Sequence, residues 1–228
     1  MNIIAIKPAY DFETRILQSY FEDVAIKIAE KKRTNKINFV DLDSEKTSYD
    51  NIKQEISSLK NSRHNIICFY GHGNKSHLLG WKKEPLFNNN YEIIKGWHFY
   101  TVACSSILHL GNQSIANGVS SYIGYRDIFV IGVNNKKIKG LKEIVNCGIL
   151  SSIDSLNYNV AEIYSNIINE YNYWINYHSE ILEFEFDSVN NQGSFKIVVK
   201  GKLNVDSSAI SKYLLMYNKH ILDYKPKS

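Results

Sequence analysis

The chain has 228 residues, with 27 Lys and Arg against 23 Asp and Glu, a formal charge of +4. So weak an excess argues against a dedicated nucleic-acid binder, whose basic residues gather into a stripe. Charged residues at 22% and hydrophobic ones at 44% exclude global disorder, and a chain of this length buries a full core without disulfides or metals. The three cysteines, Cys68, Cys104 and Cys147, are odd in number and far apart, which does not fit a secreted disulfide framework. No Cys-x-x-Cys or His-rich cluster occurs, so neither a structural zinc nor any other metal is expected. Ile3 to Ile6 reads as a first strand rather than the core of a signal peptide. No apolar run approaches the ~18 residues of a membrane span. These features predict a soluble protein of the reducing cytoplasm, with no membrane partner and no nucleic-acid partner.

In chain order, the short apolar run Asn2 to Ile6 predicts a buried strand, stopped by Lys7-Pro8. Phe12, Ile16, Leu17, Tyr20, Phe21, Val24 and Ile28 recur at helical spacing. They predict one helix, capped by Asp11 and ending at Lys31, Lys32 and Arg33, which complement its dipole. Ile37 to Leu42 predicts a second strand, Tyr49 to Leu59 a second helix, and Asn65 to Tyr70 a third strand. A polar loop runs through Asn88, Asn89 and Asn90 before a fourth strand, Trp97 to Ala103. A short helix over Ser114 to Val119 and short strands at Tyr122 to Gly124 and Ile128 to Ile131 follow. Val160 to Ile175 carries the apolar face of a long helix.

Alternating strands and helices predict an α/β fold with a mostly parallel sheet covered by helices on both faces. The C-terminal part changes pattern. Leu182, Phe184 and Phe186 alternate with Glu183 and Glu185, and Phe195, Ile197 and Val199 alternate with Lys196 and Lys200. A β-hairpin is expected there, then a last helix from about Ser208 to Ile221. The organisation read from this is a main α/β domain over 1–180, with the hairpin and helix of 181–228 packed on it.

The chemistry lies where two strands end. His72 falls just past the third strand and Cys104 just past the fourth, and functional crevices of open α/β sheets form at those carboxyl ends. Successive strands are often neighbours, ~4.8 Å apart, so an imidazole and a thiol are expected side by side. A Cys–His pair is the minimum machinery of a thiol acyl-transfer enzyme. Gly73 lets backbone approach a substrate carbonyl, and the amides of Gly73 and Cys104 are placed to hold a tetrahedral oxyanion. Cys68 and Cys147 read as core residues, His77 and His109 as loop residues. No glycine-rich phosphate loop follows the first strand, where Pro8 to Phe12 stand instead.

Phe69-Tyr70-Gly71-His72-Gly73, followed by Thr101-Val102-Ala103-Cys104-Ser105-Ser106, resembles the caspase-like cysteine peptidases. That pattern is His-Gly after one apolar strand and Ala-Cys after the next. Ser121-Tyr122-Ile123-Gly124-Tyr125 is similar to the strand that follows the catalytic helix in gingipain and CHAT-domain members. Val102 and Ser106 stand where caspases carry Gln and Gly, so the gingipain and CHAT types are the nearer match.

The resemblance implies a caspase-like three-layer α/β/α sandwich and a cysteine endopeptidase working through an acyl-enzyme, with no cofactor. Within it, His72 is the acid–base, Cys104 the nucleophile and Gly73 part of the oxyanion hole. It further implies a protein or peptide substrate, an activator protein, and a role in bacterial defence or regulated cell death. Asp127, after the Tyr122 strand, is a candidate acid for the substrate pocket. Trp81 to Gly96, joining the two catalytic strands, is expected to be a lid or activation segment. The alternative is a catalytically silent relative that keeps the fold and serves as a regulatory protein-binding module.

Overall fold

The structure, a computed structural model, describes residues 1–33, 36–59, 62–87, 92–133, 136–178 and 207–227. In chain order the elements are β1 (Asn2–Lys7), α1 (Phe12–Tyr20), α2 (Glu22–Lys32), β2 (Asn38–Asp43), α3 (Tyr49–Ser58) and β3 (Asn65–Tyr70). Then come β4 (Leu78–Leu79), β5 (Pro85–Leu86), β6 (His98–Val102), α4 (Asn112–Ala116), β7 (Ser121–Tyr125), β8 (Gly132–Val133) and β9 (Lys136–Lys137). α5 (Leu141–Ser155), α6 (Val160–Tyr177), α7 (Ser207–Ile221) and β10 (Leu222–Pro226) complete the series.

The sheet has six strands in the order β10-β7-β6-β3-β1-β2. Its neighbours run parallel except β10, which lies antiparallel on β7. The α/β class and the mostly parallel sheet therefore stand as expected. β1 and β3 are almost wholly buried, as strands covered on both faces must be. One face packs Ile66, Cys68, Tyr70, Tyr100 and Ile123 against α1, α2, α5, α6 and α7. The other packs Ile4, Ile67, Phe69 and Phe99 against Ile52 of α3, Phe87, Ile94 and Ile107. Register is pinned at one end by an asparagine row: Asn38 Nδ2 donates to Asn2 Oδ1, and Asn2 Nδ2 to Asn65 Oδ1, both at 2.8 Å.

Several local expectations are corrected. The first helix is two helices, α1 and α2, parted at Phe21. The Phe21 amide closes the α1 end on Gln18 and Ser19. Its ring is fully buried, edge-on to Tyr70 at 5.2 Å and stacked on Phe39 at 6.3 Å. Ile128 to Ile131 is not a strand: most of it is irregular, and the short β8–β9 ladder lies beyond it. The helix expected at Ser114 starts earlier, at Asn112, on a π-helical turn over Ile107–Gly111.

Neither α5 nor β10 is anticipated from the sequence. α5 is held to the sheet by buried polar contacts. Tyr70 Oη lies 2.9 Å from the Val145 carbonyl and 3.0 Å from Asn146 Oδ1, and Asn146 Nδ2 donates to the Tyr20 carbonyl at 2.6 Å. The C-terminal hairpin expected at Leu182 to Lys200, and the Asn88–Asn90 tip of the expected lid, lie outside the described residues. The last helix is present as α7. No helix among the described residues is long and apolar enough to cross a membrane.

Candidate active site

The sheet register brings His72 and Cys104 together. β3 and β6 pair in parallel, with Tyr70 opposite Val102. The Gly71 amide extends the ladder by donating to the Val102 carbonyl at 3.2 Å. The next residues, His72 and Cys104, therefore leave the sheet as neighbours. Gly73 tightens this exit: a Cβ there would lie 2.9 Å from the Cys104 carbonyl oxygen and 3.0 Å from the Ala103 Cβ. Only glycine allows so close an approach. Among the described residues, no backbone hydrogen bond is taken up by the amides of Gly73 and Cys104.

His72 has a partner that the sequence did not reveal. Its Nε2 lies 2.8 Å from Asp11 Oδ2. Asp11 is the N-cap of α1, as expected, and its Oδ1 accepts from the Thr14 amide at 3.0 Å and from Thr14 Oγ1 at 2.6 Å. One carboxylate oxygen thus ends the helix while the other orients the imidazole. An ionised carboxylate only accepts, so Nε2 carries a proton, and in the neutral ring Nδ1 then holds the lone pair. The Tyr10 ring stands 5.8 Å from the imidazole, and Trp81 lies edge-on to Tyr10 at 6.2 Å.

Burial pushes the Asp11 carboxyl up, but the Thr14 and His72 hydrogen bonds outweigh it and hold it below its ordinary 3.8. As pH falls, the unfolded chain therefore takes this proton before the folded one does. The contribution of Asp11 to stability is present above 3.8 and is lost as pH falls through the lower, folded value. Asp11→Asn is expected to lower the urea midpoint at pH 7 and to shrink the difference between pH 7 and pH 3. Equal shifts at both pH values would contradict this.

Cys104 is partly buried, and its thiol engages a different group. The Phe129 amide donates to Sγ at 3.3 Å. Burial raises the thiol pKa, the Phe129 amide works against that rise, and the Asp127 carboxylate adds to it. Asp127 is thus within electrostatic reach of the sulfur. Its own Oδ1 accepts from the Ile128 amide at 2.8 Å, and its carbonyl accepts from the Ser105 amide at 2.9 Å. Ser105 has φ +51°, a left-handed backbone of the kind that gathers at functional turns.

The segment over the thiol is pinned from the C-terminal helix. Asn218 of α7, fully buried, accepts from the Val130 amide at 3.0 Å and donates to the Val130 carbonyl at 2.7 Å. At Val130, then, a side-chain amide takes the backbone pairing that a neighbouring strand would have taken. His72 and Cys104 are not hydrogen-bonded to each other; one is turned to Asp11, the other to Phe129.

The remaining candidates fall away from the site. Cys68 is fully buried in β3 with its pKa raised by burial. Cys147, on α5, has its pKa pushed up to about 12, mainly by burial. All three cysteines are free thiols. His109 sits exposed on the π-helical turn, not in a loop. Ligand atoms of Asp11, Glu13 and His72 lie within 4.8 Å of one another, but both acids occupy the positive end of α1, where they are favoured without any ion. The sequence missed Asp11 as the imidazole's partner, the Phe129 amide and Asn218. Asp11 was visible as a helix cap, but no local pattern signals the other roles. No family model and no curated protein matches this chain, so the functional reading rests on this geometry and on the two strand-end motifs.

Proposed function

We propose that the protein is a caspase-like cysteine endopeptidase, with Cys104 as nucleophile, His72 as acid–base and Asp11 as the group that orients His72. The observation carrying this reading is the register of β3 and β6, which releases His72 and Cys104 side by side with a carboxylate behind the imidazole. In the reaction, His72 Nδ1 takes the thiol proton and Sγ attacks the scissile carbonyl carbon. The oxyanion accepts from the amides of Gly73 and Cys104. His72 then protonates the departing amine as the C–N bond breaks, leaving a thioester. Water, deprotonated by His72, hydrolyses that thioester and restores the thiol. The imidazolium formed on the way is stabilised by Asp11. The first step requires Sγ to turn from Phe129 toward His72, and an activator protein would act there.

A second reading, a catalytically silent relative that binds a protein partner, draws on the raised thiol pKa and the Phe129 contact. Peptidyl acyloxymethyl ketones separate the two, because an activated thiolate displaces their carboxylate. The expected result is a single adduct on Cys104, located by mass spectrometry, that is lost in His72→Ala. Labelling that is equally fast without His72 would support the silent module.

A further inference from the structure

A second cluster lies at the opposite end of the same strands. His64 immediately precedes β3 and His98 opens β6. Ile66 is opposite His98 in the ladder, so His64 and His98 are diagonal neighbours on one face of the sheet. Their ring centroids are 6.1 Å apart with planes tilted by 39°. His98 is fixed from two sides. Its Nδ1 lies 2.9 Å from Ser121 Oγ on the adjacent strand, and its ring stacks on Tyr158 at 4.3 Å. That leaves Nε2 as its remaining nitrogen. Both nitrogens of His64 are closed off from solvent and have no hydrogen-bond partner. An unmatched buried polar group of this kind is costly, so a ligand that takes a nitrogen lone pair offsets part of that cost.

We propose that His64 and His98 form a binding site for a monovalent d10 metal ion of the Cu(I) class. Two imidazoles that share one ion at about 2.0 Å per nitrogen have centroids roughly 5–6.4 Å apart, from bent to linear geometry; the observed 6.1 Å falls near the linear end. Among the described residues, no Asp, Glu or Cys joins the pair to make a three-donor set. Two neutral nitrogens and no anion suit a soft monovalent ion better than Zn²⁺ or Mg²⁺.

The charges that reach His64 are those of Arg63 and the Met1 ammonium, and both oppose a divalent ion more than a monovalent one. Burial first, and then those cations, lower the His64 pKa, while burial and His64 lower that of His98 to about 4. The rings are therefore held as neutral imidazoles, the ligand form. In the tautomer that leaves Nε2 free to ligate, Nδ1–H donates to Ser121 Oγ, the outer hydrogen bond that ligating histidines use to fix their orientation.

The test is a Cu(I) competition on the full chain, under anaerobic reducing conditions with bicinchoninate as the competing chelator. The wild type is expected to withdraw one Cu(I), with X-ray absorption reporting nitrogen neighbours and no sulfur. His64→Gln and His98→Gln should each weaken binding by about tenfold or more. Side-chain ¹⁵N resonances of both histidines, followed in the wild type, should shift together on Cu(I) addition, a readout independent of variant folding. Sulfur neighbours, unmoved histidine resonances or unchanged affinity in both variants would overturn the site. Zn²⁺ binding at the same residues with equal or greater affinity would overturn the assignment of ion class.

Discussion

Cys104→Ala and His72→Ala are each expected to reduce kcat/KM for peptide cleavage by at least about 10³-fold, with thermal midpoints close to wild type. Both side chains are only partly buried: His72 belongs to neither apolar core and Cys104 packs at the margin of one, so their removal leaves most of the packing of the sheet intact. In the proposed mechanism the two act as one unit: without the base the thiol is not activated, and without the thiol the base has nothing to activate. The double variant should therefore be no worse than the more damaged single one. Asp11→Asn belongs to a milder class, because it keeps the thiol and the imidazole but removes the charge that selects the Nδ1 lone pair and stabilises the imidazolium. A loss of roughly 10²- to 10⁴-fold is expected, concentrated in kcat. The measurement is steady-state cleavage of a fluorogenic peptide chosen by labelling of Cys104. Additive losses in the double variant would mean that the residues act separately, and the dyad would be abandoned.

The largest expected effect on stability is at Gly140→Ala. Gly140 caps the start of α5 with φ +88°, and a Cβ there would fall inside the indole of Trp174 on α6. Two penalties combine: a left-handed backbone costs an L-residue about 1–2 kcal/mol, and overpacking costs about 1–3 kcal/mol. A total of about 2–5 kcal/mol lowers Tm by roughly 4–20 °C in a chain of this size. Gly96 supplies the control. Its φ is +81°, but a Cβ there meets nothing within 4 Å. Gly96→Ala should therefore show only the backbone part, about 1–2 kcal/mol. Circular dichroism melts of both variants separate the effects, and equal losses at the two positions would refute the steric part of the argument.

The sheet was legible because its strands are short apolar runs closed by turn residues. Asn65–Tyr70 coincides with the expected strand, and His72 and Cys104 stand past strand ends, as their positions suggested. α5 was not legible, because the side chains it buries include Asn146, Gly148 and Ser152 beside Ile144, Val145 and Ile149. Small and polar residues there serve close packing: a Cβ on Gly148 would lie 2.7 Å from Ile163 and 3.0 Å from Tyr100. A helix buried on more than one side loses the stripe by which sequence reveals it. β10 was missed because its polar sequence, Leu-Asp-Tyr-Lys-Pro, is that of an edge strand, with Pro226 at its end. Asp11 was read for one oxygen of its carboxylate and not for the other, since its partner His72 lies 61 residues away in the chain.

Asn218 performs as a single side chain what a neighbouring strand performs along its whole length. A ladder frays one residue at a time and keeps most of its pairing; this one has a single rung. The segment that meets the sulfur at Phe129 is therefore tied to α7 one residue further on, at Val130, and Asn218→Ala removes both of those hydrogen bonds at once.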